Sequence, residues 1–234
     1  MFLISVYARW IWRRAAYRTA VGRYRDRNQP QEGRFTHDDI RRVLAAGRRI
    51  FDAMLPQERL ERFQTLGNRL NVVMAAISLA HHRAFVEAGI EKEYATELIS
   101  DTVWKAGQTL FKPVFVLIRR VIRDPRKQMN CFLQMAMRFP FDQPASGLGY
   151  RREFWTEPAR FCMDLYQCAQ YDYVKEYGEP ADAEVFRKVW CMYDFAAAQA
   201  MTNGGRYERR HTLSAGDNVC DMRWYAGDRA EQDA

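Results

Sequence analysis

The chain of 234 residues lacks most of the signatures that announce a chemistry. It has no Gly-rich phosphate loop, no HExxH helix, no Gly-x-Ser-x-Gly elbow and no EF-hand loop. Those absences remove most nucleotide enzymes, zincins and common serine hydrolases. Histidine is scarce, four in all, and two of these, His81 and His82, are neighbours on a helical stretch. Adjacent helix positions point in different directions, which is poor chelating geometry, so hydrogen-bonded structural roles fit them better. The five cysteines contain no CxxC pair, which argues against a zinc knuckle. No apolar run reaches the ~20 residues that a bilayer requires. The opening segment puts its apolar run before its positive charges, the reverse of a secretory signal. Reduced thiols and a cytoplasmic location are therefore expected.

What is present is ordinary globular composition, 48% hydrophobic and 28% charged, in a length that suits one large domain or two small ones. The net charge of +7 is unevenly placed. Residues 1–49 hold 12 Arg and four acids (Asp26, Glu32, Asp38, Asp39), and the remainder is neutral to within one charge. With a neutral body and no recognised motif, nucleic acid is not the expected partner. In residues 1–25, helical spacing places Ser5, Arg9, Arg13 and Arg18 on one face and gives Leu3, Val6, Tyr7, Trp10, Ile11 and Tyr17 much of the rest. Two readings stay open: an interfacial helix touching the inner membrane peripherally, or a helix packed on the protein's own core or on a second copy.

The period of the pattern predicts an α+β fold: a mostly helical N-terminal two-thirds, then a small antiparallel sheet with a hairpin packed on helices. Three regions follow, a basic leader over 1–30, a helical region over 31–139 and an α+β region over 150–228 continuous with it. Thr36-x-x-Asp39 reads as a capping box for a helix ending near Leu55. Pro56 opens a long helix from Gln57 to Ala88 that Gly89 stops. Helices are expected over Glu91–Gly107, on to Ile122, and from Asp124-Pro125 to Arg138, before the Pro/Gly-rich stretch Phe139–Tyr150. Phe161–Cys168 reads as a strand, with a short helix to Tyr177. Asp182 is expected to cap a helix through Met201, and Arg206–Leu213 and Val219–Tyr225 form a hairpin around Ser214–Asn218. The tail beyond is polar.

The candidate chemistry lies in the last third. Cys191 and Asp194 share a helix face in an apolar segment, where a buried carboxylate needs a partner. A small core hydrophobe is the plainer role for Cys191. Pairing Leu213 with Val219 sets His211 opposite Asp221, whereas a slip of one residue sets it opposite Cys220 as a thiolate–imidazolium pair. Both registers stay open. Arg209, Arg210 and Arg223 crowd the ribbon and could hold a carboxylate bidentately, or be a solvated basic strand face.

Cys168-Ala-Gln-Tyr-Asp-Tyr-Val-Lys-Glu-Tyr-Gly178, Cys191-x-x-Asp194 and the Thr212-Leu-x-x-Gly216 ribbon ending in Cys220-Asp221-Met-Arg223-Trp224 occur in that order over about the last 70 residues. In these blocks the chain resembles the L-2-amino-thiazoline-4-carboxylic acid hydrolase family. The helical half resembles it loosely, around Trp104-Lys-Ala-Gly107. Two departures stand out, Ala169 where the family usually has Pro and Met222 where it has an aromatic. The resemblance implies a small-molecule substrate, a cyclic amidine or related C–N/C–S heterocycle bearing a carboxylate, opened by hydrolysis. It also implies a site drawn from Cys168, Cys191, Asp194, His211, Cys220 and Asp221, with Arg209, Arg223 and Trp224 holding substrate. A thiolate nucleophile is placed ahead of a divalent metal ligated by the three cysteines. The ribbon also resembles that of vinyl-reductase-type ligand-binding domains, so a non-catalytic binding or scaffold module is the alternative.

Overall fold

The computed structural model describes residues 2–227, with side chains from Val6 onward; the tail from 228 and the facing of Leu3 and Ser5 lie outside the described residues. The helices are α1 (Phe2–Ala20), α2 (His37–Met54), α3 (Gln57–Glu61), α4 (Leu66–Glu87), α5 (Lys92–Val121) and α6 (Pro125–Arg138). Strands β1 (Arg151–Thr156) and β2 (Phe161–Gln167) follow, then α7 (Ala169–Tyr177), α8 (Asp182–Phe186), a π-helical turn (Arg187–Cys191) and α9 (Tyr193–Met201). Strand β3 (Arg206–Glu208), a 3-10 turn (Leu213–Ala215) and β4 (Cys220–Tyr225) complete it. The sheet is antiparallel throughout, in the order β1-β2-β4-β3. The α+β reading therefore holds, helices first and sheet last.

Helix α4 is the centre of the core. From Asn71 to Ala80 every residue is buried, and α1, α2, α5 and α7 pack around it. Its polar residues are paired inside the protein, as burial demands. His81 Nδ1 lies 2.8 Å from the Ile77 carbonyl and His82 Nε2 lies 3.1 Å from Thr96 Oγ1. Asn68 donates to the Asp142 carbonyl at 2.8 Å and accepts the Tyr150 N–H at 3.0 Å, while Asn71 donates to the Pro140 carbonyl at 3.0 Å. These bonds lash the Phe139–Tyr150 loop to α4 and set where β1 begins.

Local chemistry accounts for several boundaries. The capping box forms as expected, Thr36 Oγ1 accepting from the Asp39 N–H while Asp39 accepts from the Thr36 N–H. Asp124 caps α6, with Pro125 in its first turn. The helix expected from Gln57 to Ala88 is instead two, because the chain breaks at 62–65 and Thr65 accepts from the Asn68 N–H to start α4. The reverse error occurs at Gly107, where a break is expected and α5 runs on unbroken to Val121. Strand β1 has no counterpart in the sequence reading, since Arg-Arg-Glu-Phe-Trp-Thr does not alternate apolar with polar residues. Asp182 does not cap α8. Its carboxylate turns back to the Glu179 N–H at 2.8 Å and to Arg83 on α4.

The leader is no detached arm. Ala8, Ile11, Trp12, Ala15 and Ala16 are buried against the core, while Val6, Tyr7 and Trp10 face outward, so the expected apolar face is split. Arg9, expected on the polar face, turns toward Asp52 at 3.7 Å. Among the described residues no helix is long and apolar enough to cross a membrane.

Two outcomes follow for stability. A Cβ at Gly47 of α2 would lie 2.5 Å from the buried His81 ring. Gly47→Ala should cost about 1–3 kcal/mol in urea denaturation despite Ala's better helix propensity. Burial also holds the His81 imidazole down at about 4, against the backbone bond to Ile77. An imidazole neutral in the fold but protonated in the unfolded chain contributes stability above pH 6.5 that is lost as pH falls toward 4. Relative to His81→Leu, the wild type should lose about 3 kcal/mol across that window.

Candidate functional site

The antiparallel pairing of β2 with β4 sets Leu165 opposite Cys220, so the end of β2 and the start of β4 lie together. Cys168, directly after β2 at the cap of α7, is thereby brought toward Cys220. Strand β3 leaves the ladder after Glu208↔Arg223, and Arg209 turns inward. The π-helical turn brings Cys191 to the same place, a use of such turns common at functional sites. Cys168, Cys191, Asp194, Arg209 and Cys220 converge here.

Contacts within the cluster are specific. Cys191 Sγ lies 3.2 Å from Ser214 Oγ in the 3-10 turn. Cys220 Sγ accepts the Leu213 N–H at 3.3 Å and lies 3.4 Å from Thr212 Oγ1. Arg209, its side chain only 8% exposed, donates to the Cys191 carbonyl at 2.8 Å and stands 3.7 Å from Asp194 Oδ2. The Tyr207 hydroxyl donates to the same carboxylate oxygen at 3.5 Å. Trp224 lies behind Tyr207, buried in the sheet's inner face, and so supports the cluster from below.

Burial dominates the electrostatics. It pushes all three thiols above their ordinary range. Arg209 and the hydrogen bonds from Ser214, Thr212 and Leu213 pull Cys191 and Cys220 back without offsetting it. For Cys168 the neighbouring thiols add to the rise. All three are therefore neutral thiols around neutral pH. Asp194 is raised to about 6 by the same desolvation, opposed by Arg209 and Tyr207, and its side chain keeps 26% exposure. The helical stretch from Val185 to Ala198 is not buried all round as its composition suggested, because Met192 and Phe195 face outward. Asp194 sits where that helix meets the ribbon.

Other expected site residues lie elsewhere. The ladder ends before His211, so neither cross-strand register is realised; His211 Nδ1 lies 3.3 Å from Asp221 Oδ2, on the exposed side of the ribbon. Burial pushes the Asp221 carboxyl up, but the N–H groups of His211 and Arg210 outweigh it and leave the group below its ordinary range. Arg223 is on the opposite sheet face from Cys220, bonded to Asp164 at 2.8 Å and stacked over Trp155. Among the described residues no group of three or more His, Cys, Asp and Glu side chains is arranged to hold a metal ion.

Several neighbours escaped the sequence reading. Tyr207 stands two residues before Arg209, a strand spacing that sends both inward. Tyr193 crosses α5 at Gly107, where any Cβ would collide with its hydroxyl, and its ring meets Trp104 edge-on at 5.4 Å. Trp190 donates to Ser78 Oγ at 2.9 Å, tying the π-helical turn to α4.

The site thus belongs to an α+β domain in which a sheet end and a distorted helix enclose a thiol–carboxylate–guanidinium cluster. Compared with protein-family models, curated proteins and solved structures, the chain matches none.

Because Arg209 lowers the thiols, Arg209→Gln should move Cys191 and Cys220 further up. The pH profile of their reaction with a disulfide reagent should shift to higher pH, with circular dichroism confirming that the fold persists.

Proposed function

We propose that this protein hydrolyses a small cyclic amidine bearing a carboxylate, as the resemblance to L-2-amino-thiazoline-4-carboxylate hydrolases implies. The convergence of Asp194 and Arg209 with the three cysteines is the observation that carries the reading. A carboxyl held at about 6 exchanges its proton readily near neutral pH, which suits a general acid–base group. It is desolvated, yet its side chain keeps partial exposure. Arg209 presents a planar donor set to the substrate's carboxylate.

In this scheme water adds to the amidine carbon and Asp194 takes a proton from it. The tetrahedral adduct breaks its bond to the ring heteroatom, and Asp194 returns the proton to that departing atom. One water is consumed and the ring opens. The cysteines are neutral at rest and wall the site; this scheme displaces the thiolate version favoured from the residues alone. His211, Asp221 and Arg223 are left without a direct role, being turned to other surfaces.

A second reading, a module that binds such a ligand without turnover, is favoured by the same neutral thiols. Assays with 2-amino-thiazoline-4-carboxylate and related cyclic amidines separate the two. Hydrolysis is expected, with kcat/KM inflecting near pH 6. Asp194→Asn should abolish the inflection and lower kcat by about 10²-fold or more. Arg209→Lys should chiefly raise KM, while Cys191→Ser and Cys220→Ser keep measurable activity. Loss of activity in both folded serine variants with Asp194→Asn still active would overturn the carboxylate mechanism. Ligand-induced thermal stabilisation without turnover would establish the binding module instead.

A further inference from the structure

Two exposed stripes lie on neighbouring helices, and neither carries a negative charge. On α1 the outward positions are Val6, Tyr7, Trp10, Arg13, Arg14 and Arg18, at helical spacing, and Phe2–Ala20 contains no acid. On α5 the outward positions include Lys112, Val116, Leu117, Arg120 and Val121, and no Asp or Glu occurs from Lys105 to Val121. Helix α1 packs along α5. Arg18 joins Lys105, Lys112 and Arg120 around an open groove of about 580 Å³ whose lining includes Pro113, Val116 and Leu117 but no carboxylate. Further along, charge is compensated: Arg23, just past α1, pairs with Asp101 at 2.5 Å and with Glu97 at 3.6 Å. The groove shares no residue with the cysteine cluster.

The mixture of side chains selects the partner. Leu117 and Val121 are 62% and 74% exposed, an unfavourable placement for aliphatic groups in water. A polynucleotide would pair with the cations and leave these aliphatic groups wet. An anionic bilayer satisfies both kinds of group. Its phosphates take the Lys and Arg heads, its outer acyl region takes Leu117, Val121 and Val116, and Tyr7 and Trp10 suit the headgroup level. We propose that the α1–α5 face docks on the surface of an anionic phospholipid bilayer. Contact is peripheral, since no described helix can cross it. The docking face is the seam between the two helices, with the Ile11–Trp12 side of α1 turned into the core.

Co-sedimentation of the full chain with vesicles tests this. Binding is expected to vesicles of phosphatidylcholine mixed with phosphatidylglycerol and to fall as salt rises, with little binding to phosphatidylcholine alone. Lys112→Glu and Arg120→Glu should each weaken it about fivefold or more. Leu117→Asp should weaken it at low salt without altering the circular dichroism spectrum. Equal partition of the wild type and the Lys112→Glu/Arg120→Glu double variant would overturn the proposal. So would either of two other results: salt-sensitive binding to a DNA duplex without vesicle binding, or concentration-dependent dimerisation abolished by Leu117→Asp without vesicle binding.

Discussion

The whole fold depends on a helix whose central stretch has no solvent face. Because α4 is enclosed from Asn71 to Ala80, its polar groups find partners within the protein, and several of those partners lie on other elements. Asn68 and Asn71 hold the loop that delivers β1, Ser78 holds Trp190 in the π-helical turn, and Arg83 holds Asp182 at the start of α8. An unpaired polar group in that setting costs about 1–3 kcal/mol, so these latches are more specific than any apolar contact of similar size. The apolar surface of α4 makes the domain collapse; its polar residues decide which segments end up side by side.

One consequence is felt at the cysteine cluster. The π-helical turn that presents Cys191 is anchored through Trp190 to α4, and Tyr193 settles over the bare backbone of Gly107 on α5. The sheet supplies the other wall through Cys220 and Tyr207. Enclosure from both sides strips water from Asp194 and the thiols together. The same desolvation thus has two opposite chemical effects, silencing the sulfur atoms and moving a carboxyl into the range where proton transfer is easy. Arg209 moderates both without reversing either.

Short-range signals in the sequence were reliable where the physics is local. The Thr36–Asp39 box, the Asp124-Pro125 start and the arrest at Gly89, whose φ is +85°, need only a few neighbouring residues. Signals that depend on packing misled. The segment around Phe63 looks helical yet breaks, because Phe63 is wholly buried and Thr65 offers a fresh cap. Gly107 looks like a helix end yet sits inside α5, because its bare backbone is what lets Tyr193 pack there. The stretch from Val185 to Ala198 looks buried all round, but its outer half is a surface where Met192 and Phe195 meet solvent.

Sequence alone determined the helix-then-sheet order, the placing of Cys191 and Asp194 close together on one helical stretch, and a leader with more positive than negative charge. Those properties follow from spacing along one element. Only the tertiary structure decided that Cys168, Cys220 and Arg209 join that unit while His211, Asp221 and Arg223 do not. The reason is register: β2 and β4 pair so that alternate residues face opposite ways, and β3 ends at Glu208, before His211 can enter the ladder. A one-residue slip would have inverted that selection, and nothing short of the packed sheet specifies it.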